Sequence, residues 1–129
     1  MLQAVNPPGA AWPGVSTGII AEGSRIFLSS GHVGVDEAGE IVTTSVEDQI
    51  VALFEGLRRT LKAAGLDFEH VARTTYYVTQ YEPELLDILR KVRSKYLNQS
   101  TPPASVLVGV SALYDPRLRI EAEVTAVFP

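Results

Sequence analysis

Glu121 is a carboxylate that could move a proton, and its setting can be read from the residues around it. It stands in the run 118–127, LRIEAEVTAV, where Ile120, Ala122 and Val124 alternate with Arg119, Glu121, Glu123 and Thr125. A period of two is the pattern of a strand, so the first set faces one side of a sheet and the second set the other. A carboxylate carried on a strand is held more firmly than one on a loop, which is what positioned acid–base chemistry needs. The plainer reading of Glu121 is a solvated charge on an exposed strand face. A second group of reactive types is Ser30-Gly31-His32-Val33-Gly34. Its glycines permit a loop that wraps closely around another group. Ser30 adds a hydroxyl, and His32 an imidazole whose ordinary pKa of about 6.5 suits proton transfer near neutrality. A turn-capping serine and a histidine packing its ring are the competing readings. Ser105 lacks a Gly-x-Ser-x-Gly elbow and a neighbouring histidine, so it is not read as a nucleophile.

Composition narrows the chemistry. The 129 residues contain no cysteine, which removes disulfides, thiolate nucleophiles and thiolate metal sites, and two histidines are too few for a histidine-rich metal site. No metal or other cofactor is expected. A formal charge of −4 opposes non-specific attraction to phosphates, so nucleic acid is disfavoured as a partner. No apolar stretch approaches the roughly 20 residues needed to cross a bilayer. The opening MLQAVNPPGAAW has neither a basic start nor a continuous hydrophobic run. A cytoplasmic protein without membrane association is expected.

The elements that must carry these groups follow from periodicity. Residues 1–14, with Pro7, Pro8, Gly9 and Pro13, read as an irregular arm. Residues 18–22 and 25–30 read as two strands of a hairpin joined at Gly23-Ser24, and 40–43 as a brief strand. Residues 44–64 place Val46, Ile50, Leu53, Phe54, Leu57 and Leu61 on one helical face, with Thr44 and Glu47 spaced as a capping box and Gly65 as the stop. Residues 71–79 are rich in β-branched and aromatic types and form a central strand, with Tyr76 and Tyr77 on opposite faces. Residues 83–97 form the second helix, whose run Arg90, Lys91, Arg93, Lys95 reads as a solvated surface. Residues 106–110 and 118–127, around Tyr114-Asp115-Pro116, read as a closing antiparallel pair. One domain over residues 1–129 results, an α+β fold of two β-α-β halves with both helices on one face of a mixed sheet. The opposite face then needs cover, which a closed ring of subunits would give.

These pieces, in this order, resemble the RidA/YjgF family, also described as endoribonuclease L-PSP proteins. The resemblance rests on RIFLSSG at 25–31, Gly39-Glu40-Ile41-Val42, LKAAGLDFEHV at 61–71, TTYYVT at 74–79, Pro102-Pro103-Ala104, and Ile120-Glu121-Ala122-Glu123. It implies a chorismate-mutase-like fold, a homotrimer, and small-molecule clefts between subunits where reactive enamines and imines are hydrolysed to 2-keto acids and ammonia. In that family a glutamate on the last strand positions water, and an arginine after a Pro-Ala pair holds the substrate carboxylate. Glu121 matches the glutamate, and Ser30 and Gly31 match the cleft loop, beside which His32 stands. Ser105 occupies the arginine position, and one hydroxyl cannot replace a charged bidentate fork. Val15 stands where an aromatic is usual, with Trp12 nearby as a substitute. Leu107 replaces a small polar or thiol residue, and Leu89 lies near a usual pocket asparagine.

Three functions follow as alternatives. One is a hydrolase of a small enamine, imine or related carbonyl compound, with water activated by Glu121 and altered substrate anchoring at Ser105. The second is a non-catalytic small-molecule-binding or regulatory trimer of the same fold. The third, endoribonuclease action, is opposed by the net acidity and by the lack of a basic or aromatic nucleic-acid surface.

Overall fold

A computed structural model describes residues 1–9 and 12–129; Ala10 and Ala11, within the predicted arm, lie outside the described residues. The first helix, α1 (Val46–Ala63), starts two residues after the predicted bound at 44. Ser45, not Thr44, caps it by accepting from the Asp48 N–H at 2.9 Å, while the Thr44 hydroxyl donates to the Asp48 carboxylate. Gly65 at φ +81° ends it as expected. The second helix, α2 (Pro83–Arg93), has Pro83 in its first turn, where the missing N–H costs nothing. Residues beyond Arg93, predicted to extend the helix to 97, form turns instead.

Strand β5 (Val71–Val78) lies between β6 (Ala104–Gly109), paired parallel, and β7 (Ile120–Val127), paired antiparallel. The predicted closing hairpin is therefore absent. The chain between β6 and β7 passes beyond the end of β5, and the two strands occupy its opposite edges. Strands β3 (Ile26–Leu28) and β4 (His32–Val33) share the outer edge of β7. Leu28 opposes Thr125 and His32 opposes Ala122, so four steps on this edge match three on β7. The extra residue makes a bulge at Ser29-Ser30-Gly31, a device that bends an edge strand and re-aims its side chains.

The predicted hairpin at Gly23-Ser24 is also corrected. Strand β2 (Gly18–Ala21) pairs with β1 (Leu2–Val5), part of the region read as an irregular arm, and not with β3. Gly23 serves close approach, since a Cβ there would lie 1.9 Å from the Phe128 carbonyl oxygen. The predicted strand 40–43 reduces to a single bridge between Val35 and Ile41.

Both helices pack on one face of the sheet. Ile50, Leu53, Phe54, Leu57 and Leu61 of α1 and Leu85, Leu89 and Val92 of α2 meet Tyr76, Val78, Ile120, Ala122 and Val124 in one core. Burial along β7 alternates as its sequence predicts. The buried Gln49 completes this layer. Its Nε2 donates to the Val42 and Arg117 carbonyls at 3.0 and 3.1 Å, and its Oε1 accepts from the Arg119 N–H at 2.7 Å. The opposite face carries Thr75, Tyr77, Glu121 and Glu123 together with the exposed Leu28, Val106 and Val108. No helix of the described residues is long and apolar enough to cross a membrane.

Candidate functional site

The reactive residues fall into two groups on opposite faces of the sheet. Glu121 pairs in register with Tyr77, and Ser105 with Thr74. Tyr77 and Thr74 are three residues apart on one strand, so their side chains, and those of their partners, point to opposite sides.

On the open face the bulge brings Gly31 against Glu121. A Cβ at Gly31 would lie 2.1 Å from Glu121 Oε2 and 2.8 Å from Cδ, so only glycine leaves room for the carboxylate as it stands. The loop predicted to wrap closely around something therefore wraps around Glu121. Ser30, the exposed residue before it, accepts through its carbonyl from the Ser29 hydroxyl and from His32 Nδ1 at 2.8 and 2.9 Å. Glu123, one step along the same face, accepts a short hydrogen bond from the Tyr77 hydroxyl. That bond raises the Tyr77 pKa above its ordinary value, with partial burial and the charges of Glu123 and Glu121 acting in the same direction. Among the described residues no such bond occupies the Glu121 carboxylate.

His32 does not join this group. It opposes Ala122, on the helix-covered side, and its Nε2 lies 2.7 Å from the Thr60 hydroxyl of α1. With Nδ1 donating to the Ser30 carbonyl, Nε2 is the acceptor for Thr60, and both ring nitrogens are occupied in bracing β4 against α1. Leu89 departs from its expected pocket position as well. It is completely buried in the core, and the α2 residues that line the neighbouring cavity are Leu86, three residues earlier, with Arg90 and Arg93.

The second group surrounds that cavity, of about 380 Å³, between the N-terminal arm, α2 and β6. Trp12, Pro13, Val15, Ser16 and Thr17 come from the arm, Leu86, Arg90 and Arg93 from α2, and Ser105 and Leu107 from β6. Val15, Ser105, Leu107 and the nearby Trp12 are thus brought together. The arm is held by Ser16, whose hydroxyl donates to the Pro102 carbonyl at 2.6 Å and whose N–H donates to Pro103. The Ser105 hydroxyl accepts from Thr74 at 3.2 Å.

Arg93 corrects the reading of its basic run. Only 6% of it is exposed, and Nη2 donates to the Pro13 carbonyl at 3.1 Å. Burial lowers its pKa, the nearby Tyr76 opposes that shift, and the charge of Arg90 adds to it. Helical phase held the signal, because Arg93 lies four residues after Leu89 and eight after Leu85, on the buried line. Lys91, by contrast, does pair at the surface with Glu47 at 3.0 Å. Tyr76 is wholly buried near Arg93 and Thr74, and burial pushes its phenol upward. Its hydroxyl makes no well-formed hydrogen bond among the described residues. No cluster of three or more metal-ligating side chains occurs among the described residues.

Residues 11–128 match the protein family described as Endoribonuclease L-PSP. Protein DfrA of Myxococcus xanthus is 36% identical over 116 residues, which cover 87% of this chain and 83% of that protein. The human 2-iminobutanoate/2-iminopropanoate deaminase is 28% identical across 98% of this chain and 88% of its own length. Among solved structures, YyfB of Yersinia pestis, from the conserved Rid protein family, superposes with a TM-score of 0.90 at 26% identity, covering 98% of each chain.

Proposed function

Because the chain belongs to the endoribonuclease L-PSP family, which includes the RidA/YjgF proteins, we propose that it hydrolyses a small reactive imine or enamine, with Glu121 activating the water. The observation that carries this reading is the unoccupied carboxylate of Glu121, seated against Gly31 on the open sheet face. Its neighbour Glu123 has the same chemistry but is engaged by Tyr77. In the reaction, water adds to the imine carbon while Glu121 takes its proton. The nitrogen is then protonated, the C–N bond of the carbinolamine breaks, and a carbonyl compound and ammonia leave. An enamine first gains a proton on carbon to become the imine. The name of the human relative supports this substrate class.

Glu121 and Ser105 face opposite sides of one sheet, so a cleft that uses both draws them from two copies of the chain. We infer a homotrimer in which the exposed Leu28, Val106 and Val108 are covered and the small-molecule site lies between neighbours. Ser105 then offers a hydroxyl where the family arginine would hold a carboxylate, so the substrate is anchored differently.

The test follows release of 2-oxobutanoate from 2-iminobutanoate generated in solution, using protein whose mass by light scattering is that of three chains. Hydrolysis above buffer is expected. Glu121→Gln should lower it by about 10²- to 10⁴-fold, the usual share of general acid–base catalysis, while Glu123→Gln leaves it nearly intact. Equal behaviour of the two variants, or a rate equal to buffer, would sink the hydrolase and favour a non-catalytic binding trimer.

A further inference from the structure

Arg93 is a buried cation without an acidic partner among the described residues. The ion pairs among the described residues are Arg58–Glu55, Lys91–Glu47 and Arg117–Asp115, and none includes Arg90 or Arg93. Arg90 stands one helical turn before Arg93, and its Nε is buried with no hydrogen-bond partner among the described residues. Residues three apart on a helix share a face, so two like charges are held together at the same place. Both line the cavity of about 380 Å³ and a smaller adjoining one of about 130 Å³. Burying a charge is costly unless it is paired, and a like-charged neighbour adds to the cost. The C-terminal end of α2 favours cations, but that stabilisation is equally available to the exposed Lys91 and gives no reason for burial. The bond from Arg93 to Pro13 uses one of five guanidinium donors, and the buried Tyr76 hydroxyl beside it is a neutral neighbour. Among the described residues no anion meets this pair of cations.

We propose that Arg93 and Arg90 form a binding subsite for the carboxylate of a small organic acid, held in the cavity beneath Ser105 and Leu107. Its walls fit that ligand class. Val15, Leu86 and Leu107 are apolar and suit a short aliphatic chain, whereas a larger phosphorylated ligand would leave its polar groups against them. The cation missing from position 105 is thus supplied from α2. This proposal rests on the hydrolase reading only for the identity of the acid, a 2-imino or 2-oxo acid.

Calorimetric titration of the intact protein with 2-oxobutanoate, its methyl ester and inorganic phosphate tests it. The acid should bind and the neutral ester should bind much more weakly. Arg93→Gln should weaken the acid by about ten- to a hundred-fold, as expected for a lost hydrogen bond to a charged group, and leave the ester unchanged. Adding Ser105→Arg to Arg93→Gln should restore most of the affinity, because it returns a cation to the same cavity. Without that recovery, Arg93 merely braces Pro13, and the subsite is refuted. Acid and ester binding alike, or phosphate binding more tightly than the acid, refutes it as well. If Arg93→Gln does not fold, Arg90→Gln must weaken the acid by about threefold or more, or the proposal fails. Glu121→Gln separates the two readings. In that variant the acid should still bind although hydrolysis is lost, and loss of acid binding there refutes a subsite formed by Arg90 and Arg93. In the unsubstituted protein, acid binding with a hydrolysis rate equal to buffer overturns the enzyme and supports the subsite, whereas hydrolysis unaffected by changes at Arg90 and Arg93 does the opposite.

Discussion

Gly31→Ala should remove activity without removing the fold. The added methyl carbon would sit 2.1 Å from Glu121 Oε2, and ordinary contact begins at 3.4 Å, so the carboxylate must retreat by 3.4 − 2.1 = 1.3 Å. A misplacement of about 1 Å in a reacting group can cost on the order of 10²-fold, which sets the expected loss in kcat/KM. The cost to stability is small for three reasons. Gly31 is not among the glycines with positive φ, so alanine can adopt its backbone. The atoms it meets belong to the end of a flexible side chain, and rotating that chain off its preferred angles costs about 0.5–1.5 kcal/mol. Replacing glycine also stabilises by about 0.4–1 kcal/mol through the unfolded chain, which offsets much of this. Gly34→Ala is the matched contrast. Its Cβ would lie 2.2 Å from the backbone oxygen of Gln49, so the strand or α1 itself must shift, at about 1–3 kcal/mol. Imine hydrolysis and thermal unfolding, measured on both variants, should separate into an activity loss at position 31 and a stability loss at position 34. A Gly31→Ala protein that keeps full activity while Glu121→Gln loses it would refute the claim that the observed carboxylate position matters.

Two further predictions concern the scaffold. Gln49→Leu keeps the size of the side chain but strands the Arg119 N–H and the Val42 and Arg117 carbonyls, so urea unfolding should show a loss of roughly 2 kcal/mol or more with an unchanged m value. The Tyr96 pKa is pushed up to about 12, first by burial and then by the Glu55 carboxylate beside it. The unfolded chain releases that proton near 10. Its contribution to stability is therefore complete below pH of about 10 and is lost as pH rises through about 12. Tyr96→Phe should flatten the alkaline decline in melting temperature over that interval, and an unchanged decline would assign it to other groups.

Local order was legible where local physics decides it. The face of α1, its stop at Gly65, the strand at β5 and the alternation in β7 all depend on neighbouring residues, and each appears within a few positions of its reading. Strand partners are a different matter. Gly23-Ser24 and Tyr114-Asp115-Pro116 look like hairpin turns because turn chemistry reports that the chain bends, not which strand lies beside it afterwards. At the first, glycine is required by the approach of Phe128 from the far end of the chain. At the second, β5 takes the place between β6 and β7. Both contacts join residues distant in sequence, and neither leaves a local trace.

The same distinction applies to the site. Glu121 could be placed on a face because alternation is local, and Gly31 could be read as a close approach because glycine is permissive. That the two meet required the bulge, which appears only as an offset between the pairs Leu28–Thr125 and His32–Ala122. His32 also carries a group suited to proton transfer, with ring packing as the stronger reading, and in β4 its phase turns it toward Thr60 and away from Glu121. Arg93 was hidden by its neighbours, since a cluster of four cations suggests solvent unless each is assigned its own angle on the helix. Assigned that way, Arg93 falls in line with Leu85 and Leu89, and a charge on an apolar line needs a partner. Position 105 lacks the arginine that the family resemblance leads one to expect, while position 93 holds one that is buried without an acidic partner among the described residues. The two anomalies face the same cavity, so one ligand carboxylate would account for both.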